Sequence, residues 1–174
     1  DLAFRASFVD ASRAALDALA AELDAQGLGE LVVVVGYLGK VVDEMQYDMI
    51  YHEHLYYYSL VSAIAHFARY GMVVFDVKPV PIHAGSMRFY VCKQGSRHAA
   101  QVSDAVRSLE KQERERGFDR YETFKRFSDD VAATREALMA LVTRLRAAGK
   151  RIAGYGASGR ANTVIQYCGL DPRH

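Results

Sequence analysis

The run Leu31-Val32-Val33-Val34-Val35 constrains this chain more than any other segment. β-Branched side chains are stiff at χ1 and favour an extended backbone. An unbroken apolar run, rather than an alternating one, suits a strand buried on both faces, as in a parallel sheet. The spacing around it predicts helices. Phe8, Ala11, Ala15, Leu19 and Leu23 recur every three or four residues and predict a helix over 7–26, with Gly27 as its stop. Ser59 can cap a helix running to residue 70, with Leu60, Ile64, Phe67 and Ala68 on one face and Gly71 after it. The intervening residues, 36–54, have no clean period and read mainly as a long functional loop.

Farther along, residues 72–77 and 87–92 read as two strands of a hairpin with a long tip over 78–85. A polar helix over 99–116, with Val102, Val106 and Leu109 as its apolar side, breaks at Gly117. Asp119 and Glu122 form a capping-box pattern for a second helix that uses Phe124, Phe127, Val131, Leu138, Leu141 and Leu145 and stops at Gly149. Residues 150–153 turn into a short strand, a glycine-rich turn follows, and a last helix covers 161–167. The expected class is α/β. It is the closing part of a Rossmann-like sheet with a terminal hairpin (1–95), then linking helices (96–149), then the start of a second Rossmann-like α/β domain (150–174).

Composition excludes several function classes. With 51% hydrophobic and 25% charged residues the chain is globular rather than disordered. A net charge of +1 without a basic cluster gives no reason to expect a nucleic-acid partner. Cys92 and Cys168 form no CxxC pair, which argues against a structural zinc site and a disulfide framework and for a reducing, cytoplasmic setting. The longest apolar run is far short of the ~20 residues that cross a bilayer, and no signal peptide is visible. The first residue is Asp1, so a fragment or processed product is expected.

Chemistry concentrates in Tyr51-His52-Glu53-His54, followed by Leu55-Tyr56-Tyr57-Tyr58-Ser59-Leu60. Imidazole and carboxylate are the side chains best suited to moving protons near neutral pH. His54, or Glu53, can serve as a base beside a carbonyl, and Tyr51 can donate to a developing enolate oxygen. The same residues also suit a polar loop whose tyrosines pack in the core. His52 and His54 form an HxH pair, but no third ligand is fixed by spacing, so no metal is assigned. Gly154-x-Gly156-x-x-Gly159 precedes a helix whose N-terminus favours a diphosphate, with Arg160 adding a guanidinium fork. A tight turn needing glycine only for packing is the other reading. His83-Ala84-Gly85-Ser86-Met87-Arg88 can face a pocket or merely close a hairpin tip.

Taken together, residues 35–170 resemble the sugar C-methyltransferases that act on nucleotide-linked keto sugars. The resemblance rests on Gly36-Tyr37-Leu38-Gly39, on the segment from Tyr47 through Tyr51-His52-Glu53-His54 to Leu60, and on Phe75-Asp76-Val77. It continues in His83-Ala84-Gly85-Ser86-Met87-Arg88 and in Gly154-Tyr155-Gly156-Ala157-Ser158-Gly159-Arg160-Ala161-Asn162-Thr163. It implies an N-terminal zinc-binding domain, an S-adenosylmethionine-binding domain and a C-terminal α/β domain that helps hold the nucleotide sugar. A base would remove the proton α to the ketone, and the enolate carbon would attack the sulfonium methyl in line.

The resemblance implies catalytic roles for Tyr51, Glu53 and His54, with His54 as base, and substrate contacts at His83, Ser86, Gly154, Gly156, Ser158, Arg160 and Asn162. It implies a cofactor contact at Tyr37, although the family's acidic-Pro-Tyr-Leu pattern reads Val34-Val35-Gly36-Tyr37-Leu38 here. The zinc-binding cysteines and the glycine loop for S-adenosylmethionine are expected outside these residues, so activity is expected of a longer protein. A related C-methyltransferase with a non-sugar acceptor, and a non-catalytic nucleotide-sugar-binding module, are the competing expectations.

Overall fold

The structure, a computed structural model, describes residues 5–6, 30–156 and 158–171. The expected helix over 7–26 lies outside the described residues. Among these residues four strands form one sheet: β1 (Arg5–Ala6), β2 (Glu30–Gly36), β3 (Met72–Val80) and β4 (Ser86–Lys93), in the order β1-β2-β4-β3. β1 pairs with β2 in parallel, whereas β4 pairs antiparallel with both β2 and β3. The protein is therefore mixed α/β, with a mostly antiparallel described sheet.

The valine run forms an interior strand of that sheet, but it pairs antiparallel with β4 along its whole length instead of lying within a parallel sheet, and it is not buried on both faces as expected. Leu31 and Val33 are buried, and their partners Val91 and Phe89 on β4 are too. Val32 and Val34 point the other way, are only half-buried, and line an open cleft. The run is apolar on both sides because one side meets the core and the other walls a cavity.

Against the buried face lies α2 (Leu60–Ala68), which contributes Leu60, Ala63 and Phe67 to the core with Val74, Val77, Met87 and Val106. Each large apolar side chain buried there contributes about 1.5–3 kcal/mol. Ser59 caps α2 as expected: it accepts from the Ser62 N–H, and the Ser62 hydroxyl accepts from the Ser59 N–H.

Several expectations need correction. Residues 36–54 are not simply loop. They hold a short helix α1 (Leu38–Asp43) and a 3-10 turn (Tyr47–Met49), stabilised by tertiary contacts rather than by periodicity. β3 continues through Pro79 to Val80, because it is an edge strand where a missing N–H costs no ladder bond; the hairpin tip is shortened to residues 81–85. The first polar helix, α3 (Asp104–Glu115), begins at its cap Ser103 instead of residue 99. The next, α4 (Tyr121–Ala147), starts without a side-chain cap. Asp119 pairs instead with Arg114 and Arg120.

The strand expected over 150–153 is absent among the described residues. Residues 150–156 are exposed and irregular, with no described strand beside them to supply ladder partners. The last helix, α5 (Gly159–Cys168), forms as expected, with Ser158 as N-cap and Gly169 in the left-handed region as its stop. No described helix is long and apolar enough to cross a membrane.

Candidate active site

The cleft on the open face of the sheet has a volume of about 770 Å³. Its floor is Val32, Val34 and Arg88 on β2 and β4, one wall is Met49, Tyr51, Glu53 and His54, and the hairpin tip closes another side.

His54 is oriented from both ring nitrogens. Its Nδ1 lies 2.9 Å from the Met49 carbonyl oxygen, and its Nε2 lies 3.2 Å from the Tyr51 hydroxyl. A carbonyl oxygen can only accept, so Nδ1 carries the hydrogen. A neutral His54 therefore presents its lone pair on Nε2, towards Tyr51, whose hydroxyl donates to it. The Tyr57 hydroxyl, 3.1 Å away, donates to the same Met49 carbonyl and occupies its second lone pair. The 3-10 turn that carries Met49 thus fixes the tautomer. The Tyr51 and His54 rings are 4.3 Å apart at 35°, so the pair is packed as well as hydrogen-bonded.

Glu53 lines the same cleft but stands at its exposed edge, 4.0 Å from the neighbouring His52; it is the Met49 carbonyl that holds the Nδ1 of His54. Of the four positions that follow, Tyr57 supports Met49 and Tyr58 packs on the core, while Leu55 and Tyr56 are exposed. Burial pushes the Tyr57 and Tyr58 phenols up, so both are held as donors or packing groups.

His83 and Ser86 both reach the cleft. The tip that carries them is strained: His83 and Ala84 have φ of 48° and 61°, a left-handed conformation that costs a non-glycine residue about 1–2 kcal/mol. The Ser86 hydroxyl donates to the Ile82 carbonyl, and the Gln46 amide donates to the Ala84 carbonyl, which together hold the tip in that shape. Gly85, at φ 109°, leaves room for the Lys40 side chain, whose Cγ would stand 2.9 Å from a Cβ there.

The glycine turn sits apart. Gly154, Gly156, Ser158, Arg160 and Asn162 are not among the cleft-lining residues. Ser158 is committed to capping α5. Arg160 makes a two-point ion pair with Asp48, at 2.7 and 3.1 Å, which raises its pKa and ties α5 to the 3-10 turn. The ring of Tyr51 lies beside Gly159, 3.7 Å from where a Cβ would be. The start of α5 therefore packs beside Tyr51.

Tyr37 does not face the cleft through its phenol. The hydroxyl donates to Glu113 at 2.7 Å, and the Glu113 carboxylate also accepts from the Leu60 and Val61 N–H groups at the start of α2. Glu113 has no exposed surface. Burial first, then Glu113, drives the Tyr37 pKa far above the ordinary tyrosine value. Gly39 belongs to this arrangement, since a Cβ there would sit 2.3 Å from the Tyr37 ring.

Sequence reasoning missed Met49, Asp48 and Glu113. The first acts through its backbone, which leaves no trace in residue type. Asp48 meets its partner across 112 positions. Glu113 did carry a signal: it extends the stripe Val102, Val106, Leu109 at helical spacing, where a charge is out of place. Among the described residues no group of three or more His, Cys, Asp or Glu is placed to hold a metal ion.

Comparison with known proteins identifies the family. The family model of the C-methyltransferase C-terminal domain matches residues 81–174. The chain is 33% identical over 142 residues to the C-methyltransferase NovU of Streptomyces niveus, a match covering 82% of this chain and 33% of that protein. The chain thus spans about a third of the length of that curated relative. With more than half of its residues inside the domain match, the chain belongs to the C-methyltransferase family.

Proposed function

We propose that the complete protein is an S-adenosylmethionine-dependent C-methyltransferase whose acceptor is the carbon α to the keto group of a nucleotide-diphosphate-linked deoxysugar. In this reading residues 1–95 close the Rossmann-like donor-binding domain, 96–149 link, and 150–174 begin the substrate-binding domain. The observation that carries it is the His54 tautomer. A base for α-proton removal needs an unprotonated nitrogen beside a cleft, and the Met49 carbonyl, by holding the hydrogen on Nδ1, leaves Nε2 unprotonated, with the Tyr51 hydroxyl as its donor until an acceptor binds.

The cleft suits both reactants. Its volume accommodates a sugar ring beside a sulfonium, and its phenol faces and the Glu53 carboxylate are compatible with a cation. When bound, S-adenosylmethionine supplies an electrophilic methyl group. This chain's residues do the proton work. The acceptor's ketone oxygen takes over the hydrogen bond that the Tyr51 hydroxyl gives to His54. Nε2, released, then accepts the α-proton: the C–H bond breaks, the N–H bond forms, and the electron pair moves towards the ketone oxygen, where Tyr51 stabilises the enolate. Glu53, at the exposed edge of the cleft, receives the proton from His54 and returns it to water. Arg160 and the glycine turn hold the diphosphate, with Asp48 keeping the guanidinium in place beforehand. His83 and Ser86 contact the sugar from the strained tip. The two cysteines are free and buried, compatible with a cytoplasmic setting.

The test is solvent deuterium exchange at the α-carbon of a nucleotide-linked keto sugar by the complete protein, with and without the methyl donor. Exchange without donor, and methylated product with it, are the expected results. No exchange and no methylation across nucleotide-linked keto sugars would overturn the reading.

A further inference from the structure

Among the described residues that line the cleft, Arg88 is the one arginine or lysine, and the chemistry above does not use it. It sits mid-strand on β4, opposite Val34 on β2 and Lys78 on β3. It is half-buried, and its guanidinium makes one hydrogen bond, from Nη1 to the Tyr90 hydroxyl at 3.4 Å. Arg107, Arg114, Arg116 and Arg160 each have a carboxylate partner, whereas among the described residues Arg88 forms no ion pair; Arg97 and Arg126 share that lack but are exposed. The nearest carboxylate in register, Asp76, opposes Tyr90 and does not pair with it.

This is a costly arrangement for a sheet. Like charges on directly opposed residues, here Arg88 and Lys78, destabilise a strand pair. A guanidinium carries five N–H donors in a rigid fork, and partial burial removes water from them while supplying a single long contact, to the Tyr90 hydroxyl. Arg88 lines the cleft that also holds the Tyr51–His54 pair. A planar fork matches two oxygens of a phosphate or a carboxylate.

We propose that Arg88 is an anion anchor on the cleft floor, binding an oxyanion group of a reactant through its unpaired guanidinium fork. The inference rests on the methyl-transfer reading above, in which two reactants carry such a group: the diphosphate of the acceptor and the amino-acid carboxylate of the donor. Anchoring either one at β4 sets how far the reacting centre lies from Nε2 of His54.

The experiment uses the complete protein and its R88Q and R88K variants. Calorimetric titration with uridine, thymidine and guanosine diphosphates forms one arm, and with S-adenosylhomocysteine the other. R88Q is expected to bind at least one class tenfold or more weakly, with R88K intermediate because it retains charge but not the fork. A loss confined to the nucleoside diphosphates assigns Arg88 to the acceptor; a loss confined to S-adenosylhomocysteine assigns it to the donor. Wild-type affinity for both probes in the variants overturns the anchor while leaving the methyltransferase reading intact. A wild-type protein that binds neither probe overturns both. Should R88Q fail to fold, R88K decides by the same criteria.

Discussion

Tyr37 and Tyr51 lie in the same connection between β2 and α2 and are put to opposite uses. Tyr37 gives its hydroxyl to a fully buried carboxylate that is also bonded by two N–H groups of α2. Tyr51 gives its hydroxyl to an imidazole on the wall of an open cleft. The first network has no access to water or ligand. Burial and the Glu113 partner hold the Tyr37 phenol protonated, which makes it a clamp between α1, α2 and α3. The second pair has an acceptor that can itself take a proton, and a cavity in front of it. Residue type alone does not separate a clamp from a working group; partner and access do.

The contrast can be broken from the clamp side first. Glu113→Ala leaves the Tyr37 hydroxyl and the Leu60 and Val61 N–H groups without their acceptor. It should cost about 3 kcal/mol or more in urea unfolding, since each buried orphan costs roughly 1–3 kcal/mol. Tyr37→Phe removes one of those three bonds and should cost about 1–2 kcal/mol by the same measurement. A larger loss of methyl transfer than of stability in Tyr37→Phe would show that this phenol is more than a clamp.

On the cleft side, Ala84→Gly relieves a left-handed alanine at φ 61° and should stabilise the protein by about 1 kcal/mol in the same assay. The smallest effect is a pH dependence. Burial first, then Arg69, lowers the pKa of His66, whose Nε2 is buried without a partner among the described residues. The unfolded chain therefore takes up this proton more readily than the folded one. Stability should fall as pH drops through the ordinary histidine range near 6.5 and be fully present above it. His66→Leu should flatten that slope when urea midpoints at about pH 5 and pH 8 are compared.

Local chemistry made much of this legible in the sequence. The β2 run, the Ser59 cap and the stops at Gly71, Gly117 and Gly149 follow from short-range rules, and these elements form where such rules place them. The Tyr51-x-Glu53-His54 segment stood out because packing rarely asks for that mixture. What was not legible depends on distant partners. The exposed face of β2 needed the cleft to be seen. Pro79 fits a strand only because β3 is an edge. The His54 tautomer is fixed by a backbone carbonyl, and the reach of Arg160 to Asp48 spans most of the chain.

The central claim is that the Tyr51–His54 pair moves the α-proton. Its most direct test is the rate of solvent deuterium exchange at the acceptor's α-carbon in complete protein bearing His54→Ala, Tyr51→Phe or Glu53→Gln. His54→Ala should slow exchange by about 10²–10⁴-fold. Tyr51→Phe should slow it by roughly 10²-fold, in keeping with loss of an oxyanion donor, and Glu53→Gln should have the least effect. Exchange in His54→Ala at the wild-type rate would contradict the account.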